Sequence, residues 1–354
     1  MQIHQVLAGA AKGDAITSIA AETKAVLRRR GASEIFAHYI AEDAHGVART
    51  LPELPASTEP DDVLLLRLSI GDRAIEDLVA ERHERIVIGY HNISPAEHFE
   101  QLDPAFAKLL ADGRRFATQL APRVHAAYAD STYNAEDLMS LGVSDVEVVP
   151  PLLDPFRLGR QPGDGGFLVE IERRAPEELI LFVGQLLPHK RPDLLISAHH
   201  LLTAHHRPNA TLVIVGTPRF PDYFRQLASY SSALNLPRVW FTGRVTDREL
   251  AELYRRADAF VTASAHEGFC VPLTEAMAAS VPVVAMASGA IPETVGSAGL
   301  LLESSSPAVF AEALDAVLGT PLGASLAVAG RARAHELSLE AATLRLEAFL
   351  DDRI

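Results

Sequence analysis

Two glutamates with a turn between them are the residues of this chain best placed to do chemistry. Glu267 and Glu275 stand eight positions apart, on either side of a compact turn at residues 268–272. An apolar run at 257–264 precedes the turn and strong helix formers follow it, which predicts a strand, a turn and a helix with Pro272 in its first turn. The start of such a helix presents backbone N–H groups and a positive dipole end, so it can bind an anion. A phosphate site between a loop carboxylate, Glu267, and a first-turn carboxylate, Glu275, suits a sugar nucleotide.

The elements that position these glutamates belong to an alternation of predicted strands and helices along the whole chain. This alternation is typical of doubly wound parallel sheets, which bind ligands at the carboxyl ends of their strands. A Pro- and Gly-rich stretch interrupts it, so we expect an N-terminal Rossmann-like domain at 1–151, a linker at 152–166 and a C-terminal Rossmann-like domain at 167–335. The predicted strands include 3–8, 62–68, 85–90, 179–183 and 211–215, and the predicted helices include 15–30, 73–80, 191–206 and 247–256, with two more after Pro307.

The composition of the chain limits which partners it can bind and indicates its cellular compartment. The chain has 354 residues, 48% of them hydrophobic, and a formal net charge of −14. So acidic a protein is a poor general ligand for nucleic acid or anionic membranes, and any phosphate must be held by a local pocket. The single cysteine, Cys270, rules out an intrachain disulfide. We expect a cytoplasmic protein because neither a signal peptide nor an apolar run of membrane-spanning length is visible.

Several other chemical signatures do not occur in the sequence. There is no G-x-S-x-G, Walker A or G-x-G-x-x-G motif, so serine hydrolases, P-loop enzymes and nicotinamide enzymes lack their signatures. The fourteen histidines include the pairs His199-His200 and His205-His206. Adjacent residues point to different faces of a helix, so we interpret both pairs as surface residues. We expect no metal site and no cofactor.

The stretch around the two glutamates, with GFCVPLT between them and AMA after them, resembles the signature of the family-4 retaining glycosyltransferases of the GT-B fold, the group 1 glycosyl transferases. The resemblance covers the whole second domain and, more loosely, the first. It implies two Rossmann-like domains facing each other across a cleft, and a C-terminal helix at 336–354 that packs back on the first domain. Five further stretches agree with the family: His91-Asn92, FVGQLLPHKR at 182–191, VGTP at 215–218, FTGRV at 241–245 and PVVAMASGAIPETVG at 282–296.

For the second domain the resemblance implies a nucleotide-sugar donor site. Lys190 would neutralise the leaving diphosphate, although taken alone it could equally be a solvated lysine at a helix start. Glu275 would accept hydrogen bonds from the ribose, and Glu267 would lie near the transferred sugar or its phosphate. The plainer alternatives are a helix-start glutamate and a loop carboxylate in solvent. The other implied donor-binding positions are Gln185, Gly216, Arg244, Val245, Gly268, Phe269, Cys270, Val271 and Leu273.

For the first domain the resemblance implies that His91 helps to hold the sugar beside the bond that breaks. The alternative is a strand-end histidine with a structural hydrogen bond. Gly13 and Asp14 stand where the family has a glycine-rich loop that meets the diphosphate and the acceptor. Here the loop reads AAKGDAI, and Asp14 could equally be the N-cap of the following helix.

Two positions depart from the family's pattern. Many relatives carry an arginine five residues before the lysine, where this chain has Gln185, so one diphosphate cation is missing unless Arg191, Arg244 or Arg67 replaces it. Cys270 stands where glycine is common. Its N–H can still donate, and with no base or zinc ligands nearby a catalytic thiolate is not expected.

These observations predict a metal-independent retaining glycosyltransferase that moves a sugar from a nucleoside-diphosphate sugar to a small-molecule, glycan or glycolipid hydroxyl. The absence of any Asp-x-Asp argues against the metal-dependent single-domain glycosyltransferase fold. Lipid acceptors bring some relatives to membranes, but no Lys/Arg-rich apolar helix supports that here. The alternatives are a nucleotide-sugar binding protein or inactive partner subunit, motivated by Gln185, and a sugar-nucleotide epimerase of the same architecture.

Overall fold

The chain forms two compact α/β units. A computed structural model describes residues 1–57 and 59–354. Unit 1 comprises Met1–Leu153 and Ser338–Ile354, and unit 2 comprises Asp154–Leu337. Each unit contains one sheet in which every paired strand is parallel, as the alternation of apolar runs and helical patterns predicts.

Unit 1 begins with a strand, β1, that lies inside its sheet between β2 and β4. The strands are β1 (Ile3–Ala10), β2 (Ile35–Ile40), β3 (Arg49–Thr50), β4 (Val63–Leu68), β5 (Arg85–Tyr90), β6 (Val124–Ala129) and β7 (Val146–Val148). Their order in the sheet is β3-β2-β1-β4-β5-β6-β7. The order reverses between β1 and β4, which is the switch point where such sheets bind ligands. Helices α1 (Ala15–Leu27), α2 (Arg73–Ala80), α3 (Pro104–Leu120) and α4 (Thr132–Ser140) flank the sheet.

Strand β4 shows why the sequence pattern predicts its position. Its residues VLLLRL form an almost continuous apolar run, and all six are buried, as expected for an inner strand covered on both faces. The exception in the run is Arg67, which is 4% exposed. A charged side chain buried there needs polar partners, and it has them in the functional site.

Unit 2 repeats the same sheet order over six strands. They are β8 (Leu179–Val183), β9 (Thr211–Val215), β10 (Val239–Gly243), β11 (Ala259–Thr262), β12 (Val283–Met286) and β13 (Leu300–Leu302), in the order β10-β9-β8-β11-β12-β13. Here the order reverses between β8 and β11. The helices are α5 (Gly165–Arg174), α6 (Pro192–His205), α7 (Pro221–Ala233), α8 (Asp247–Arg256), α9 (Val271–Ala278), α10 (Ile291–Val295), α11 (Pro307–Val317) and α12 (Pro321–Glu336).

The last helix, α13 (Leu339–Arg353), belongs to unit 1. Its Phe349 packs edge-on against Tyr128 of β6, with ring centroids 5.1 Å apart. Its Arg353 donates to Glu147 of β7 at 2.7 Å. Apolar burial and ion pairing therefore both hold the C-terminal residues on the sheet of unit 1.

The structure differs from the sequence prediction in several elements. Three helices, not two, follow Ser306, because α12 forms despite Gly323 and Gly330. The segment expected to be a linker, 152–166, lies mostly in unit 2, where Leu158 is buried and α5 begins at Gly165. Short 3-10 helices lie at Glu42–Ala44, Leu51–Glu53, Ala96–His98, Ala121–Arg123, Leu158–Arg160 and Pro188–Lys190.

Within the described ranges, no single helix combines the length and the apolar character needed to cross a membrane. By length and composition alone, one bent pair, Pro307–Val317 with Pro321–Arg353, meets the requirement when the two parts are taken together.

Candidate functional site

In unit 2 the switch point brings Lys190 and Glu267 together. Lys190 ends the 3-10 turn after β8, and Glu267 lies on the loop after β11, the neighbouring strand across the reversal. Their Nζ and Oε1 atoms are 2.7 Å apart, and the two side chains are 20% and 11% exposed. Two residues separated by seventy-seven positions in sequence (267 − 190) thus form one ion pair at the carboxyl end of the sheet.

The backbone of the Glu267 loop is fixed on two sides. The N–H of Ala265 donates to His189 O at 2.7 Å, which ties the loop to the turn that carries Lys190. The N–H of Ala290 donates to Glu267 O at 2.9 Å. Gly289 has φ +54°, and a Cβ there would lie 2.4 Å from Glu267 O, so this close approach requires glycine. The ion pair therefore sits on a positioned loop.

The start of α9 offers an anion site beside this ion pair. Cys270 is the N-cap residue with φ 74°, and the N–H groups of Phe269, Cys270 and Val271 have no acceptor among the described residues. The positive end of the helix dipole adds to their attraction for an anion. Leu273 is also among the predicted donor-binding positions, but its N–H donates to Cys270 O at 3.1 Å.

The Cys270 thiol is neutral in this setting. Burial raises its pKa well above the ordinary value, and the nearby Glu267 carboxylate raises it further. A neutral, 8% exposed thiol next to a carboxylate is a packing group and not a nucleophile, in agreement with the sequence-based expectation.

Glu275 lies in the second turn of α9 and not, as expected, in the first. Its side chain is 4% exposed. Arg157 Nη2 donates to Oε1 at 2.8 Å, and the Tyr254 hydroxyl lies 3.1 Å from Oε2. Burial raises the pKa of Glu275, while the charge and hydrogen bonds of Arg157 and Tyr254 act against that rise. Oε1 accepts from Arg157, Oε2 shares the single Tyr254 hydroxyl proton with Pro272 O, and each carboxylate oxygen keeps a lone pair for a ligand.

Arg157 and Tyr254 are site residues that the sequence analysis missed. Arg157 lies in the Pro- and Gly-rich stretch assigned to a linker, and its Nη1 also pairs with Asp247 at 3.0 Å. Tyr254 lies on α8, and its hydroxyl is 3.0 Å from Pro272 O as well. No local pattern marks either residue, because their importance arises only when α8, α9 and this stretch pack together.

The remaining predicted donor positions lie on loops at the carboxyl ends of β8, β9 and β10. A Cβ at Gly216 would stand 1.8 Å from Gly184 O, so the loops after β8 and β9 are in direct contact. Gln185 is exposed on the first of these loops. Gly243 has φ +70°, with exposed Arg244 and half-buried Val245 after it. Arg191 is not a free cation, since it pairs with Asp193 at 3.2 Å.

In unit 1, His91 belongs to a buried polar network that crosses four neighbouring strands. Arg67 on β4 donates from Nε and Nη2 to Gln5 Oε1 on β1, at 3.0 and 2.8 Å. Its Nη1 lies 3.3 Å from His91 Nε2 at the end of β5. Asp130, after β6, lies 2.9 Å from His91 Nδ1 through Oδ2. The order β1-β4-β5-β6 places these side chains side by side.

This network fixes the state of the His91 ring. Arginine can only donate, so Nε2 must accept, and the proton is therefore on Nδ1, where it is donated to Asp130. The His91 side chain is 3% exposed. Arg67 is 4% exposed and uses all three of its nitrogens in this network, which argues against its replacing the missing diphosphate cation.

The Gly13–Asp14 loop has a structural explanation. Asp14 is the N-cap of α1, and its Oδ2 accepts from Thr17 N at 2.8 Å and from Thr17 Oγ1 at 2.9 Å. Gly13, with φ +82°, makes the exposed turn before it. Of the two interpretations of Asp14, the structure contains the N-cap.

The histidine pairs are not all on the surface. His199 is 1% exposed, and its Nε2 lies 2.9 Å from Ala210 O, so the prediction for this residue is wrong. Because neighbouring residues of a helix point in different directions, His199 faces the core while His200 is half-buried. Among the residues that the structure describes, no three His, Cys, Asp or Glu side chains are grouped to hold a metal ion.

The family model for glycosyl transferases group 1 matches residues 169–335, which span most of unit 2. A D-inositol 3-phosphate glycosyltransferase of Frankia alni is 34% identical over 220 residues, which cover 59% of this chain and 53% of the relative. A second D-inositol 3-phosphate glycosyltransferase, from Actinosynnema mirum, is 34% identical over 232 residues and is matched over 54% of its length. The chain thus spans about half the length of these relatives.

A solved structure with the same fold covers nearly the whole chain. Anabaena Alr3699/HepE in complex with UDP and glucose aligns with a TM-score of 0.78 at 18% identity, over 99% of this chain and 100% of that one. The fold is therefore the GT-B fold, with two Rossmann-like α/β units as the resemblance implied. Residues 169–335 are thus similar to the group 1 glycosyl transferases, and the chain as a whole shares the fold of this neighbour.

Proposed function

We propose that this protein is a retaining, metal-independent glycosyltransferase that transfers a sugar from a nucleoside diphosphate to an acceptor hydroxyl. The observation that carries this proposal is the Lys190–Glu267 ion pair, 2.7 Å long, next to the three backbone N–H groups of residues 269–271. A cation and free N–H donors at the start of a helix suit a diphosphate, and a carboxylate beside them suits sugar hydroxyls.

In this proposal unit 2 binds the donor and stabilises the charge of the leaving group. The bond between the anomeric carbon and a diphosphate oxygen breaks, and the acceptor oxygen bonds to that carbon on the same face. The acceptor's proton leaves on the departing phosphate. Lys190 and the N–H groups at 269–271 neutralise the developing charge, which is the usual source of rate enhancement in phosphate departure. Glu275 accepts the ribose hydroxyls with its two remaining lone pairs.

Glu267 and His91 are the proposed sugar-side residues. Because Glu267 pairs with Lys190, a diphosphate that draws Lys190 towards itself would release the carboxylate to accept sugar hydroxyls. His91 donates to Asp130 and accepts from Arg67, so it would reach a sugar hydroxyl only by exchanging its contact with Arg67. His91 and Glu267 are therefore proposed to bind and orient the sugar rather than to transfer a proton.

The relatives guide the choice of substrates to test. The neighbouring structure was determined with UDP and glucose, so UDP-glucose is the first donor. The curated relatives are named for D-inositol 3-phosphate, so a polyol phosphate is the first acceptor. Nucleotide sugars and their small acceptors are cytoplasmic metabolites, and we propose that location for the protein.

The test is a panel of UDP-, GDP- and ADP-sugars with polyol phosphates, simple glycosides and glycolipids as acceptors. Proton NMR of the product gives the anomeric configuration, and the proposal requires the configuration of the donor. Activity should persist after dialysis against a chelator. Inversion of configuration would refute the retaining mechanism, and loss of activity that Mg²⁺ or Mn²⁺ restores would refute metal independence.

A nucleotide-sugar binding role without transfer is the second candidate, and it rests on Gln185. This exposed neutral side chain stands where relatives supply a second cation, and neither Arg67 nor Arg191 is free to replace it. Saturable binding of a nucleotide sugar with no product from any acceptor, and no donor hydrolysis, would favour this second candidate.

A further inference from the structure

A cavity rich in arginine lies at the end of the unit 2 sheet that is remote from the proposed donor residues. It lies at the amino ends of β9 and β10, whereas the proposed donor residues follow their carboxyl ends. Its volume is about 370 Å³. Arg174, at the end of α5, lies over the ring of Trp240 with 4.9 Å between guanidinium and ring centroid. The lining residues are Arg173, Arg174, Thr211, Pro237, Arg238, Val239 and Trp240.

This cavity is positive in a protein that is otherwise strongly acidic. Three arginines line it and no lining residue is acidic. Glu170 pairs with both Arg173 and Arg174, so these three side chains carry a net charge of +1. Arg238 adds another, since Nη2 donates to the neutral Asn209 Oδ1 at 3.4 Å and no carboxylate of the described residues pairs with it. A net charge of +2 matches a phosphate monoester, which carries about −1.5 to −2 near pH 7.

A second cavity of about 310 Å³ adjoins the first through Pro237 and Arg238. His199 lines it and is 1% exposed. Because Nε2 donates to Ala210 O, Nδ1 is an acceptor, and it has no partner within the described residues. Burial lowers the pKa of His199 to about 4, so the ring stays neutral and Nδ1 stays unprotonated. A buried acceptor without a partner is costly, and a ligand hydroxyl would satisfy it.

We propose that the two cavities form one binding site for a small phosphate monoester that carries a hydroxyl group. The phosphate lies among Arg173, Arg174 and Arg238, and the hydroxyl donates to His199 Nδ1. The apolar walls of the second cavity, formed by Ala204, Pro208, Leu234 and Leu236, cover the carbon skeleton. Five-residue strands separate this site from the donor loops by roughly 16 Å, so the site is distinct from the proposed donor site.

The chain's only tryptophan makes this proposal directly testable, since Trp240 lines the first cavity. Glycerol 3-phosphate, inorganic phosphate and glycerol are titrated into the full-length protein, with Trp240 emission and calorimetry recorded together. Glycerol 3-phosphate should bind saturably, inorganic phosphate more weakly, and glycerol not at all. Arg238→Gln should weaken glycerol 3-phosphate at least about tenfold, the effect of one lost charge-assisted hydrogen bond.

Matched variants separate this site from other phosphate contacts. Arg225→Gln removes an exposed arginine of α7 and should leave the affinity unchanged. His199→Leu should bring glycerol 3-phosphate down to the affinity of inorganic phosphate while leaving inorganic phosphate unchanged. The proposal is overturned if Arg238→Gln leaves the affinity for glycerol 3-phosphate unchanged. It is also overturned if neither Trp240 emission nor calorimetry shows saturable binding. Sedimentation with phosphatidylglycerol vesicles but no binding of the free ester would also overturn it, in favour of a lipid surface.

Discussion

In unit 1 the histidine after β5 is held at both ring nitrogens, whereas in unit 2 the lysine after β8 is held by a single carboxylate. The Gln5–Arg67–His91–Asp130 network is buried, and its hydrogen bonds form within the protein. The Lys190–Glu267 pair is partly exposed and lies beside N–H groups that have no acceptor in the described part of the chain. The first region pairs its polar groups with one another inside the protein, whereas the second keeps charged groups and N–H donors that can reorganise.

This difference predicts different consequences for substitutions in the two regions. A buried network contributes to stability because removal of one member leaves the others without partners. A partly exposed pair contributes little to stability, yet its charges remain free to reorganise around a diphosphate. We therefore expect removal of Arg67 from the network to act mainly on folding and removal of Lys190 from the ion pair to act mainly on activity.

The largest expected effect is on the stability of unit 1. Arg67→Met would leave Gln5 Oε1 and His91 Nε2 without their donor, and should lower the free energy of unfolding by about 2–5 kcal/mol, since each buried polar group left unpaired costs about 1–3 kcal/mol. Urea unfolding followed by circular dichroism measures it. Arg73→Met, at an exposed arginine of α2, is the control and should change stability by less than about 0.5 kcal/mol. A loss below about 1 kcal/mol for Arg67→Met would show that the network is not structural.

Lys190→Met is the matching test in unit 2. It should lower kcat by about 10²–10³-fold, as for removal of one group that stabilises a developing oxyanion, and change stability by less than about 1 kcal/mol. Initial rates with UDP-glucose and the same urea unfolding measure the two effects. Lys108→Met, at an exposed lysine of α3, should leave both unchanged. If Lys190→Met destabilised the protein as much as Arg67→Met does, the contrast between the units would fail.

Sequence patterns predicted those elements whose residues act locally. Strands β5, β8 and β9 and helices α2 and α8 begin and end where the apolar runs and helix signals indicated, and the Thr246–Glu249 capping box is present. Helix α12 was missed because its hydrophobic residues do not form one stripe and two glycines interrupt it. Helix α5 was missed because its glycine-rich start is typical of a loop.

The sequence predicted the candidate site residues that belong to recognisable motifs, but not the residues that pair with them. The residue pattern supplied Glu267 and Glu275, and the family resemblance added Lys190, but their partners depend on strand order. The Lys190–Glu267 contact follows from the neighbouring positions of β8 and β11, which no local pattern specifies. Arg157 was assigned to a linker because proline and glycine dominate that stretch, and only packing brings it to Glu275.

Arg157 combines features of both regions: its own side chain is half-exposed, as Lys190 is partly exposed, and it pairs with a buried carboxylate, Glu275. Burial raises the pKa of Glu275, and Arg157 opposes that rise. The ionised carboxylate is the better ribose acceptor, so UDP affinity should increase as pH rises through the raised pKa and then level off. Arg157→Met lets the pKa rise further, so the midpoint should move to higher pH, with about tenfold weaker UDP binding below it.

Calorimetric titration of UDP across about pH 5–8 measures this shift. Arg160→Met changes an exposed arginine three residues away that pairs with Asp154, and it should leave the curve in place. If both variants gave the wild-type curve, Arg157 would have no role in setting the state of Glu275. If UDP affinity were independent of pH in every variant, Glu275 would not contact the nucleotide.

The smallest expected effect sharpens the contrast by adding a charge to unit 2. Gln185→Arg places a second cation on the exposed loop after β8, where relatives carry arginine. One added charge-assisted contact to a diphosphate at a solvent-exposed position is worth about 1 kcal/mol, so the KM for UDP-glucose should fall about fivefold with stability unchanged. Gln226→Arg adds the same charge on exposed α7 and should leave the KM unchanged.

A fall in KM with constant kcat would mean that the arginine binds donor and transition state equally, whereas a rise in kcat would assign the position a role in neutralising the leaving group. An unchanged KM and kcat would mean that the diphosphate does not reach this loop, and that Lys190 and the N–H groups at 269–271 neutralise it without help.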